Sequence, residues 1–258
     1  MGILNRTPDS FFAPAATYDL DALFARAEQL VHDGADLLDV GGVKAGPGDE
    51  VPENEELDRV VPVVAGLRQR FDVPISIDTW RASVAHACFD EGAQVGNDIS
   101  GFADPSYLDV CASAGATVVA THIRLRPRVA DPAPHYDDVT ATVRDFLLER
   151  HRWALSAGVA PDRVILDAGL DLGKTAAQSL QLLRDSSQLA DLGAPLLLSA
   201  SNKTFLGLMF ELAVTERREA SLAATAIGVS SGCRIVRAHD VVGAVRVRDT
   251  IARLLEAA

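Results

Sequence analysis

Polar residues of chemical use stand at the ends of short apolar runs all along the 258-residue chain. Asn5 follows Ile3-Leu4, Asp39 lies in the run 37–40, Asp78 closes 75–77, and Asn97-Asp98 closes 94–96. Later runs end on Thr121-His122, Asp167, Ser199 with Lys203 close behind, and Arg237 with His239. A carboxylate accepts two parallel N–H bonds from an aminopyrimidine edge much as it does from arginine. Asp78 and Asp167, with the Asn97 amide, are therefore suited to gripping a flat nitrogen heterocycle. Lys203, Arg237 and His239 supply positive charge of the kind that holds a phosphate or diphosphate. Asn5 is placed to join them or to bind a metal. An anion, a divalent metal and a heterocycle together suggest group transfer with a phosphate leaving group. Any single one of these residues is as easily a cap for the next helix. Eight polar strand ends converging on one rim carry the reading.

Convergence requires that the runs be strands of one sheet. Strands are predicted near 3–4, 37–40, 75–77, 94–96, 117–120, 164–166, 196–198 and 235–237, nearly continuous in apolar residues, as parallel strands covered on both faces are. Between them lie helix-period segments near 19–34, 53–70, 81–91, 107–114, 139–157, 176–190, 217–231 and 242–256, each able to return the chain for the next parallel strand. Glu91-Gly92-Ala93, Ala114-Gly115-Ala116, Leu192-Gly193-Ala194 and Ser231-Gly232-Cys233 read as glycine-capped turns from helix to strand. Eight βα units predict the α/β class and one domain over residues 1–258, a (β/α)8 TIM barrel, with a doubly wound open sheet as the alternative. In such barrels active sites sit where strands enter their βα loops. The stretch 124–136, rich in proline and arginine, would hang over that face.

Composition narrows the partners. With 24 basic and 36 acidic side chains the net charge is −12, which argues against nucleic acid and against an anionic membrane surface. No apolar run reaches the ~20 residues that span a bilayer. The first residues lack a signal peptide's pattern. Cys88, Cys111 and Cys233 are scattered, as reduced thiols of a cytoplasmic protein are. Gly173-Lys174-Thr175 lacks the leading glycine of a phosphate-binding loop, which would fall at Ala168, so no nucleotide cofactor is expected. His32, His86 and His151 lie on helices as surface or filler residues, and His135 is left open. The run 215–219 is a solvated or capping helix start.

At these residues the chain resembles the dihydropteroate synthase family. Met1-Gly2-Ile3-Leu4-Asn5-Arg6-Thr7-Pro8-Asp9-Ser10-Phe11 is similar to that family's first signature, and Gly34-Ala35-Asp36 through Asp39-Val40-Gly41-Gly42 to its second. Ser76-Ile77-Asp78-Thr79, Asn97-Asp98-Ile99-Ser100-Gly101 and Arg237-Ala238-His239-Asp240-Val241 match as well. The resemblance implies a (β/α)8 barrel, commonly a homodimer, that condenses 6-hydroxymethyl-7,8-dihydropterin diphosphate with 4-aminobenzoate and expels diphosphate with help from Mg2+. It assigns the pterin to Asp78, Asn97, Asp167 and Lys203. It assigns the diphosphate to Asn5, Arg237 and His239, with Asn5 beside the metal and Lys44 as a further charge.

The other half of the implied site departs from the pattern. Where the family reads E-S-T-R-P-G, this chain has Val43-Lys44-Ala45-Gly46-Pro47-Gly48, so Ala45 and Gly46 replace a threonine and an arginine that touch aminobenzoate and diphosphate. The family's S-R-K becomes Ser201-Asn202-Lys203, D-P-G-x-G-F-G-K becomes Asp167 through Lys174 with Asp171 inside it, and M-H becomes Thr121-His122. Losing a bidentate contact to a carboxylate commonly costs ~1.5–3 kcal/mol. The sequence thus resembles a divergent second-copy branch. Either a transferase with an altered amine acceptor or a non-catalytic pterin-binding paralogue is expected. A methyltransferase barrel would not need Arg237 and His239.

Overall fold

The computed structural model describes residues 1–7 and 20–256. The Pro8-to-Phe11 end of the first signature and Asp19 lie outside the described residues. The strands are β1 (Gly2–Asn5), β2 (Leu38–Gly41), β3 (Ile75–Asp78), β4 (Val95–Asp98), β5 (Thr117–Thr121), β6 (Val164–Asp167), β7 (Leu196–Leu198) and β8 (Ile235–Val236). They pair in parallel in strict chain order. A parallel bridge between Gly2 and Ala238 joins the last strand to the first and closes the sheet. Around it run α1 (Leu20–His32), α2 (Glu53–Arg68), α3 (Ala82–Asp90), α4 (Tyr107–Ser113), α5 (Val139–Ser156), α6 (Ala176–Arg184), α7 (Ser186–Ala190), α8 (Thr204–Phe210), α9 (Arg218–Ser230) and α10 (Val241–Glu256).

The two-residue period of the strands explains where the polar ends go. Val95, Val119, Ile165 and Leu197, packed with Leu37 and Ile235, form an apolar plug inside the barrel. Two positions further on, on the same inner face, stand Asn97, Thr121, Asp167, Ser199, Asp39 and Arg237. The alternate residues, such as Leu38, Val40, Ile75, Ile77, Val118 and Leu166, pack outward against the helices.

Two elements differ from the sequence expectation. The segment 176–190 is two helices broken at Asp185, whose carboxylate accepts from Thr140 Oγ1 at 2.8 Å. Helix α8 carries no periodic signal in its seven residues. Its first amides are capped from outside by Asp171, which accepts from Phe205 N at 3.1 Å and from Thr204 N. Such a tertiary cap is invisible to a local pattern. Gly34, Gly92, Gly115, Gly193 and Gly232 all have positive φ, as the predicted αβ turns require.

Candidate active site

The mouth of the barrel is organised around one guanidinium. Arg237 Nε donates to Asp39 Oδ2 at 2.6 Å and its Nη2 donates to Asp78 Oδ2 at 2.8 Å. Asp39 also accepts from Asn97 Nδ2 at 3.2 Å. Asn97, Asp39, Arg237 and Asp78 thus form one chain of polar contacts across β2, β3, β4 and the end of β8. Burial pushes the Asp78 carboxyl up to about 7, with Arg237 opposing and Asp39 adding to the shift. Two carboxylates share one cation, so one negative charge is in excess and a proton is easily kept. The Arg237 guanidinium is held above its usual range by Asp39 and then Asp78, which outweigh its burial. Two of its five N–H groups are spent on these carboxylates, which leaves three for a ligand.

Asp39, expected only as a polar strand end, belongs to the site. Its signal was its inward register, two residues beyond Leu37. Asp78 is steadied from behind: Thr79 Oγ1 donates to buried Glu56 at 2.7 Å, and Arg81 pairs with the same carboxylate. Asn5 is exposed at the end of β1. Its Oδ1 lies 3.1 Å from where a Cβ at Gly41 would stand, and the Asp78 carboxylate lies 3.7 Å from the same point. Gly41 therefore lets Asn5 and Asp78 share one corner.

Asp167 and Lys203 make the opposite wall. Asp167 is buried and accepts from Gly169 N at 2.8 Å; burial raises its carboxyl and Lys203 opposes. Lys203 Nζ donates to Leu170 O at 2.6 Å, and burial lowers the ammonium against the pull of Asp167. Thr121 Oγ1 is buried without a hydrogen-bond partner among the described residues.

His239 is held by Ser201. Its backbone N–H donates to Ser201 Oγ at 3.1 Å, and the same hydroxyl lies 3.0 Å from His239 Nδ1. Burial and then Arg237 lower the imidazole to about 4, so it is neutral near pH 7. Asn202 adopts a left-handed φ of 58°, a conformation asparagine tolerates better than arginine does. Ala45 is partly exposed, and Lys44 and Gly46 are exposed on the β2–α2 loop.

Two strand ends stay out of the mouth. Asp98 turns back to accept from Ser100 N at 2.6 Å and Phe102 N at 2.8 Å, capping its own loop. His122 is buried beneath the rim. Lys174 Nζ lies 2.9 Å from its Nδ1, and burial followed by Lys174 lowers the ring to about 2. Lys174 also donates to Gly169 O and Leu172 O, so the phosphate-loop-like tripeptide is a structural knot. His86 pairs with Asp90 and His135 with Asp137 on the surface. In the run 215–219, Glu216 caps Ala213 N and Arg217 Nη1 donates to Asn202 O.

Among the described residues, no cluster of three or more His, Cys, Asp or Glu side chains is disposed to hold a metal by itself. No described helix is long and apolar enough to cross a membrane.

Comparison with known proteins gives a consistent picture. The pattern of the family described as "Pterin binding enzyme" matches residues 1–239. The protein named inactive dihydropteroate synthase 2 of Mycobacterium leprae is 42% identical, over 98% of this chain and 89% of its own length. The dihydropteroate synthase of Synechocystis is 39% identical, over 93% of this chain and 84% of its own. The crystal structure of Yersinia pestis dihydropteroate synthase with a sulfonamide drug superposes with a TM-score of 0.95 at 36% identity, covering 100% of this chain and 94% of that one.

Proposed function

The chain belongs to the pterin-binding enzyme family, and on that premise we propose that it is a dihydropteroate-synthase-type transferase. In this reading it joins 6-hydroxymethyl-7,8-dihydropterin diphosphate to an aromatic amine and releases diphosphate, a step of folate biosynthesis. The observation that carries the proposal is the single polar array of Asn97, Asp39, Arg237 and Asp78. It sets acceptors for a pterin's N–H edge beside donors for a diphosphate.

Asp78, Asn97, Asp167 and Lys203 hold the ring. Arg237, with its remaining N–H groups, and His239 bind the diphosphate oxygens, where charge accumulates as the C–O bond breaks. The amine nitrogen attacks the methylene carbon, and the protein's share is positioning and charge stabilisation. Lys44 adds positive charge from the β2–α2 loop. Asp39, Asp78 and Asp167 set three carboxylates against Arg237 and Lys203, so the pocket holds no excess of positive charge. A diphosphate should therefore arrive with its own Mg2+. The Asn5 amide oxygen is a hard donor that fits an ion ligated mainly by phosphate and water. When bound, that ion neutralises leaving-group charge. No nucleotide cofactor enters the scheme.

The amine side is altered at Ala45, Gly46 and Asn202, with Ser201 committed to His239. Similarity to a relative named inactive favours a second reading, a pterin-binding paralogue without turnover. Calorimetric titration with the pterin diphosphate, followed by an assay of diphosphate release with and without 4-aminobenzoate, separates the two. The transferase binds and then releases diphosphate when the amine is added. Tight binding with no release sinks that reading in favour of the paralogue. Chelating Mg2+ should weaken the pterin diphosphate more than tenfold while leaving 6-hydroxymethylpterin unchanged. A cytoplasmic homodimer completes the proposal, supported by Leu208, Met209 and Phe210 exposed together on α8.

A further inference from the structure

Arg128, in the loop between β5 and α5, grips a loop of another βα unit. Its backbone is left-handed, at φ 67°. Its guanidinium donates to three main-chain carbonyls of the β2–α2 loop: Nη1 to Lys44 O at 3.2 Å and Gly46 O at 2.7 Å, Nε and Nη2 to Asp49 O at 3.2 and 2.8 Å. The main chains add Arg128 N to Ala45 O at 3.3 Å and Gly48 N to Arg128 O at 3.4 Å. Among the described residues its hydrogen-bond partners are neutral carbonyls, so its donors are spent on shape. The loop bearing Arg128 is itself tied down, by the Arg124–Asp131 ion pair and by Tyr136 Oη donating to Gly173 O at 2.8 Å. The β2–α2, β5–α5 and β6–α6 loops are thereby joined into one wall.

The gripped segment has little to fix it from within. Gly46-Pro47-Gly48 lacks anchoring side chains, and a Cβ at Gly46 would meet nothing within 4 Å. Arg128 therefore supplies four side-chain hydrogen bonds that hold residues 44–49 to the neighbouring loop. We propose that Arg128 is a positioning residue for the amine acceptor, latching residues 44–49 in one conformation over the barrel mouth. This rests on the transferase reading for the identity of the acceptor, whereas the latch itself does not.

The test compares wild type, Arg128→Ala and Arg128→Lys. Amide hydrogen exchange at 44–49 should quicken at least tenfold in Arg128→Ala, with exchange at 97–101 unchanged as a sign that the barrel is intact. The probe for the acceptor is 4-aminobenzoate, titrated into protein saturated with Mg2+ diphosphate, which cannot react. Its affinity should fall at least tenfold in Arg128→Ala and recover to within threefold in Arg128→Lys, while diphosphate affinity stays within twofold in both. Unchanged exchange at 44–49 overturns the latch. Faster exchange with the same aminobenzoate affinity in wild type and Arg128→Ala overturns the positioning role. Failure of the wild type to bind the pterin diphosphate is a separate outcome, and it sinks the transferase reading instead.

Discussion

At the residue scale, one guanidinium shared by two carboxylates makes ligand binding a titration. Asp78 holds its proton up to about pH 7 because it is buried and Asp39 already takes part of Arg237's charge. A pterin's N–H edge needs the carboxylate form, so below that pH binding must first expel a proton. Pterin affinity should therefore fall as pH drops through 7, by about tenfold per unit. Calorimetry at pH 5.5, 6.5 and 7.5 reads this directly, and Asp78→Asn should flatten the profile. The stability effect has the same origin. A carboxyl whose folded pKa lies above its unfolded value near 4 binds more protons when folded. It thus favours the folded state at low pH and loses that advantage as pH rises through 7. Restoring the missing cations is a second residue-scale prediction. Gly46→Arg has room, whereas Asn202→Arg forces arginine into a left-handed backbone at a cost of roughly 1–2 kcal/mol. The pair should lower the KM for 4-aminobenzoate at least tenfold in a diphosphate-release assay. No gain would place the deficit elsewhere.

At the scale of elements, loops after neighbouring strands brace one another. Asp171, at φ 67° in the β6–α6 loop, caps α8 and so fixes the turn that carries Lys203. Asp171→Ala leaves two amides of a short helix uncapped. It should lower stability by about 1 kcal/mol, read as a lower urea midpoint, and weaken pterin binding through Lys203. Strands were legible because their apolar runs are continuous, and the inward position of Asn97, Asp167 and Arg237 follows from register alone. Which polar ends serve a ligand was not legible. Asp98, the last residue of its strand, closes onto amides two and four residues ahead. Asp39 instead meets an arginine 198 positions away, and only the closed sheet brings them together. Arg128 has no local signal for the same reason, since its partners lie about eighty residues earlier on a different loop.

For the whole molecule, a chain of net charge −12 carries its acidic excess outside while the mouth is held near balance. On α8 the exposed side chains of Leu208, Met209 and Phe210 lie together as an apolar run. Leu208→Glu combined with Phe210→Glu should convert a dimer to a monomer in sedimentation velocity without shifting the pterin affinity. A wild type that sediments as a monomer refutes the assembly.

The bridge between Gly2 and Ala238 has a further meaning. Asn5 leaves β1 and Arg237 and His239 leave the end of β8, so the residues proposed for the diphosphate are brought together by the closing bridge. That corner of the mouth exists only where β8 has met β1. On the proposed reading, a diphosphate held by Asn5 on one side and by Arg237 and His239 on the other would clasp the joint that created its site.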